Sequence, residues 1–216
     1  MSQKYMAHDI RSKAYVYLQH QFPAQCNLFL ERYEAGTYAS FTTESLVRVA
    51  NAARETNTLV ILPAILFLLC TRPMDDILKY TFTDPTSDES ILSPVNFVAV
   101  LKGRPRISLF ARKNIYSFAF LNKEVTGCQT NSDCRSLNSL WAETAEQMEG
   151  WIDPFERPPD RHGLRLIRNA RCSVCRAKAT DEMREGRIKM WNRIPDLFDL
   201  PNWDEMARLS QTLDDI

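Results

Sequence analysis

The residues best suited to chemistry in this sequence are its cysteines. Cys172 and Cys175 lie three apart at the expected start of a helix. Both thiols then project on one face near the positive end of the helix, a setting that favours thiolates, the form that binds metal. Cys128 and Cys134 are six apart, which on a helix would put them on different faces. The residues between them, QTNSD, are turn formers, so a loop can bring both sulfurs to one point. A Cys-x5-Cys plus Cys-x2-Cys set can make a four-sulfur tetrahedral site for one structural zinc, with metal–sulfur bonds of about 2.3 Å. The alternative is four reduced, partly buried thiols, since cysteine is among the most buried residue types. Only the second pair has a spacing usual at zinc sites. His162 is a candidate substitute ligand, although a lone solvent-facing histidine is the better reading. A redox role for the Cys-x-x-Cys lacks the βαβ surroundings it would need. Cys26 and Cys70 fall in apolar helical runs and are expected in the core.

A second feature is electrostatic. From Arg157 to Arg193 the chain carries eleven Arg or Lys against four Asp or Glu. Such an excess can track phosphates, which makes a nucleic-acid-binding regulator using the Arg-rich helices of 157–193 the alternative functional reading. Aromatic residues for base stacking are sparse there, limited to Trp191. From Ile194 onward six acids face one arginine. A solvated face with local ion pairs therefore competes with the nucleic-acid reading. No phosphate-binding glycine loop, Gly-x-Ser-x-Gly or His-Glu-x-x-His is present. Asp75-Asp76 and Asp214-Asp215 are neighbours that do not converge on one substrate. The expectation is a protein that is not an enzyme, has no catalytic residues and binds no small-molecule substrate.

The elements that must position the cysteines are read as helical. Six glycines in 216 residues and the absence of Asn-Gly or Asp-Gly turns argue against hairpins. Met6, Ile10, Ala14 and Tyr17 or Leu18 form the stripe of a first helix ended by Phe22-Pro23. Gln25 to Tyr33 forms a second, broken at Gly36. Thr42 or Thr43 caps a third, with Leu46, Val49, Ala50 and Ala53 inward. The run from Thr58 to Thr71 is the most apolar, but it is shorter than the ~20 residues of a membrane span, and Pro63 marks a helix start within it. It is expected to be the most buried helix. Asp84 to Ser93 reads as a surface loop and internal boundary. A helix restarts at Ser93-Pro94 carrying Phe97, Val98 and Leu101, closed by Gly103 and Pro105. Helices are also expected over Ile107–Leu121, Ser136–Met148, from Asp160, and over Ser173–Ile194 up to Pro195. The fold class is all-α, an irregular bundle of eight to nine helices that zinc would clamp. Equal numbers of acidic and basic residues, 27 each, exclude a global field for anions or membranes. The polar N-terminus is no secretory signal, so reduced cysteines in cytosol or nucleus are expected.

Three segments carry a family resemblance. Lys4-Tyr5-Met6, Ile10-Arg11 and Phe22-Pro23 are similar to the closing helices of a BTB/POZ domain. The stretch ESLVRVANAARETNTLVILPAILF, with Leu62-Pro63-Ala64, resembles the helical extension after the BTB fold in basidiomycete fungal BTB proteins. Arg187, Trp191, Ile194-Pro195, Phe198, Leu200-Pro201 and Trp203 are similar to that family's closing motif. The resemblance implies closing helices of a BTB-like domain over 1–22, a BACK-like extension over 23–83 and a C-terminal helical region over 94–216. The part of a BTB fold that carries its dimerisation and cullin-contact surfaces is missing from this sequence, so the expectation is either a truncated gene model or a BTB relative without the adaptor module. The implied function is a protein–protein interaction module, adaptor or scaffold.

Overall fold

The computed structural model describes residues 2–81, 91–120, 126–130, 134, 153–155 and 171–211. The described residues are all-α, with no strand among them. They belong to two compact units, residues 1–103 with 194–216, and residues 104–193. The helices expected over Ser136–Met148 and from Asp160, together with His162, lie outside the described residues. So does most of the loop expected over Asp84–Ser93.

In the first unit, α1 (Ser2–Gln21) stops before Phe22-Pro23, as the proline requires. Its expected apolar stripe is not covered: Ile10 and Tyr17 are 61% and 62% exposed, and Ala14 is exposed while Leu18 is half-buried. Periodicity marks an apolar face but does not say that this chain covers it. The helix α2 (Cys26–Glu34) ends before Gly36, whose φ of 73° is left-handed. Phe22, Phe29, Tyr38 and Phe67 then stack in a cluster with ring centroids 5.2 to 6.1 Å apart. Thr42 caps α3 (Thr43–Glu55) by accepting the N–H of Ser45 at 3.1 Å. Leu46, Val47, Ala50 and Ala53 are buried on α3, so Val47 takes the place expected for Val49.

A 3-10 turn (Leu59–Ile61) leads into α4 (Leu62–Cys70), all nine residues of which are buried, as expected of the most apolar run. After the short α5 (Met74–Leu78), Asn51 of α3 accepts the N–H of Ser93 at 3.0 Å and the amide of Asn96 at 3.1 Å. That fixes the start of α6 (Pro94–Phe110) and satisfies the fully buried Asn96.

The closure of this helix at Gly103 and Pro105 is overturned, because α6 runs through both. Gly103 is there for packing, not termination: a Cβ on it would collide with the ring of Phe198, itself 2% exposed. The buried face is Asn96, Ala99, Val100, Gly103 and Ile107, while Val98 and Leu101 face outward at 45% and 42% exposure. The choice between faces turned on a glycine and an asparagine, which a count of apolar residues does not favour.

In the second unit, a π-helical turn (Ala111–Ile115) follows α6, closed by the N–H of Tyr116 donating to the carbonyl of Ala111 at 2.9 Å. Then come α7 (Ser117–Phe120) and, later, the long α8 (Ser173–Leu197). The expected stop at Pro195 is also corrected, since α8 continues two residues past it. The unit is mounted on one face of α8, where Cys175, Ala179, Gly186, Met190 and Trp191 are buried. Along that face Glu182 accepts from the Ser117 hydroxyl at 2.8 Å and Arg187 donates to the carbonyl of Pro154 at 2.9 Å. Trp191 meets Phe155 edge-on at 5.8 Å. At Gly186 the π turn lies so close that a Cβ would sit 2.5 Å from the Asn114 carbonyl oxygen and 2.8 Å from the Ile115 Cα. Returning to the first unit, Phe198 and Leu200 are buried, and α9 (Trp203–Gln211) packs on the Leu59–Ile61 turn with Met206 fully buried.

Gly103→Ala and Gly186→Ala should each cost about 1–3 kcal/mol as overpacked sites. The measurement is the urea midpoint of each variant. Wild-type midpoints in both would contradict the close approaches.

Candidate metal centre

The second unit brings all four expected ligands together. The sulfurs of Cys128, Cys134, Cys172 and Cys175 all lie within 4.8 Å of one another. Cys134 and Cys175 are buried, and Cys128 and Cys172 are half-buried. None is in a disulfide, and the Cys128–Cys172 sulfur pair is 4.0 Å apart. Four sulfurs at about 2.3 Å from one tetrahedral centre would be ~3.8 Å from each other. The observed separations, up to 4.8 Å, are close to that length and within metal-binding distance.

Two local structures build it. On one side, α8 begins at Ser173, so Cys172 is its N-cap and Cys175 its third residue. The Cys172 sulfur accepts the N–H of Cys175, the role an N-cap serine or aspartate oxygen plays at other helix starts. The Cys172 carbonyl accepts the N–H of Arg176 at 3.0 Å. On the other side, the turn around Gly127, with φ of 82°, carries Cys128 and delivers the N–H of Gln129 to the Cys172 sulfur. Gly127 is needed for its backbone, since a left-handed φ is costly for other residues. Cys134 closes the set, held by the Thr130 hydroxyl at 3.1 Å and the N–H of Cys172 at 3.4 Å.

Donors pointing at sulfur favour thiolate over thiol. The Cys172 thiol is drawn down to about 6, chiefly by the N–H of Gln129 and then that of Cys175, against opposing desolvation. Cys175 moves the other way: burial pushes its thiol up, and hydrogen bonds with the sulfurs of Cys128, Cys172 and Cys134 add to the rise. Without metal, negative charge is therefore favoured on Cys172 and resisted on Cys175.

Arg171 sits beside the cluster. It is 6% exposed, and its guanidinium lies over the Phe118 ring at 4.6 Å. Burial lowers its pKa, while the fields of Cys134 and Cys175 raise it. Thr130 and Arg171 are contributors that spacing did not single out. Thr130 was hidden in a turn-forming run, and Arg171 falls at helical spacing from Leu164 and Ile167, opposite Arg161, Arg165 and Arg168, a position that says nothing of the cysteines. The remaining cysteines stay apart from the site: Cys70 is buried and donates to the Val100 carbonyl at 3.7 Å, and Cys26 is half-buried on α2. On α8, Arg184 pairs with Asp181 at 3.5 Å and Lys189 with Glu185 at 3.9 Å, so part of the basic run forms local ion pairs.

No family model, curated protein or solved structure matches the chain. Among the described residues no helix is long and apolar enough to cross a membrane.

The thiolate is the nucleophile in alkylation. In reduced, metal-free protein, iodoacetamide should therefore modify Cys172 ahead of Cys175, with the Cys172 rate falling by half as the pH drops to about 6. Peptide mass mapping over a pH series reads this, and modification of Cys175 ahead of Cys172 would contradict the arrangement.

Proposed function

We propose that this chain is a non-enzymatic protein–protein interaction module, an adaptor or scaffold, whose second unit is closed by one structural zinc on Cys128, Cys134, Cys172 and Cys175. The convergence of four sulfurs within 4.8 Å carries the reading. Four thiolates fill a tetrahedral zinc completely, and catalytic zinc sites keep one position open for water or substrate. An all-cysteine shell of soft ligands also suits zinc over magnesium, calcium or manganese. The metal would tie the turn at 126–130 and Cys134 to the start of α8, two places that share few other described bonds. Ligation energy then becomes folding energy for the unit.

The interaction role rests on surface chemistry and on the resemblance to the C-terminal part of fungal BTB proteins. Val95, Val98 and Leu101 are 59%, 45% and 42% exposed at three-residue steps along α6. Ile10, Val16 and Tyr17 are as open on α1. Apolar surface of this kind is more usual at partner-binding faces than on an isolated domain. The local ion pairs on α8 favour a protein partner over a nucleic acid.

Native mass spectrometry of protein purified without chelator should find one zinc per chain. Cys134→Ser and Cys175→Ser should each lose it and lower the thermal midpoint, whereas Cys26→Ser should keep it. Retention of the metal by both ligand variants, or no metal in the wild type, would overturn the zinc-closed reading.

A further inference from the structure

Resting on the zinc reading, we propose that Arg171 is the counter-charge of the metal centre, a positioning residue that makes a buried tetrathiolate tolerable. A divalent ion with four thiolates carries a net charge of minus two. Two of those sulfurs, on Cys134 and Cys175, are 3% and 7% exposed, so much of that charge is held away from water. A buried excess charge is costly unless an opposite charge accompanies it.

The guanidinium of Arg171 has the same difficulty with the opposite sign. It is charged at any pH a protein meets. Its Nε and Nη2 are buried and have no hydrogen-bond partner. Among the described residues no carboxylate lies at ion-pair distance from it. The Phe118 ring covers its flat face at 4.6 Å but supplies no anion. Among the described residues, the groups whose charge would act on it are the thiols of Cys134 and Cys175. As neutral thiols they leave the guanidinium without an anion among the described residues, and a metal-bound tetrathiolate would supply one. Sequence proximity adds order: Arg171 immediately precedes Cys172, so capping of α8 and placement of the charge are set by the same backbone.

The coupling runs both ways. Metal loading should stabilise the buried arginine, and the arginine should tighten metal binding. Partners behind the ligands typically change metal affinity 10–100-fold.

The test is zinc competition against a chromophoric chelator, with cobalt(II) as a spectroscopic probe, on the full chain. Arg171→Met, which keeps bulk and loses charge, should weaken zinc about 10–100-fold. Its sulfur-to-cobalt charge-transfer band should move to lower energy, because the sulfurs lose a neighbouring cation. Arg171→Lys should stay close to wild type in both readouts. A merely structural role would not move the band of fully loaded, equally helical protein. If Arg171→Met does not fold, Arg171→Lys against Arg171→Gln decides, since both are polar and only one is charged. Wild-type affinity and band in the uncharged variant would overturn the counter-charge role while leaving the zinc site standing. No metal uptake by the wild type would overturn both.

Discussion

The start of a helix leaves backbone N–H groups without partners, and in the second unit a sulfur supplies the acceptor. Cys172 takes the N-cap position of α8, receives the N–H of Cys175 and of Gln129, and gives its own N–H to Cys134. That small exchange couples three of the four cysteines to the helix that the rest of the unit leans on. The buried face from Cys175 through Gly186 to Trp191 receives the π turn, Ser117 and the Pro154–Phe155 segment. Any loosening at the N-cap would be felt first at the cysteines and then along that face.

Charge is the second constraint. The N-terminus of α8, the donors on sulfur and the Arg171 guanidinium all favour negative charge at one point. The metal-free cluster answers only in part, with Cys172 drawn towards thiolate while Cys175 resists. A soft divalent cation reconciles these demands: it ionises all four sulfurs, releases their protons and gives Arg171 its anion. The closed zinc shell proposed above would offer a substrate nothing to bind, and the chemistry of the site would then be to hold a shape.

Much of this was legible in the chain. The convergence of the two cysteine pairs, the all-helical class and the buried run around Leu62–Cys70 followed from spacing and composition. What escaped was decided by tertiary contact. Gly103 and Pro105 look like terminators, but α6 continues through them because the ring of Phe198 needs the space that a missing Cβ leaves. The buried face of α6 was not legible, because its alignment depends on Gly103 and on Asn96, which is satisfied by Asn51 across a gap of 45 residues. The stripe on α1 was read correctly as apolar, yet it lies open. Spacing set Arg171 on the stripe of Leu164 and Ile167, apart from Arg161, Arg165 and Arg168, but no spacing rule ties a guanidinium to a cysteine cluster.

The account depends on one claim, that the four cysteines hold a single zinc ion. X-ray absorption at the zinc edge of the protein as purified tests it most directly. Four sulfur scatterers at about 2.3 Å, with no lighter atom in the first shell, are the predicted result. A first shell containing nitrogen or oxygen, or fewer than four sulfurs, would contradict it.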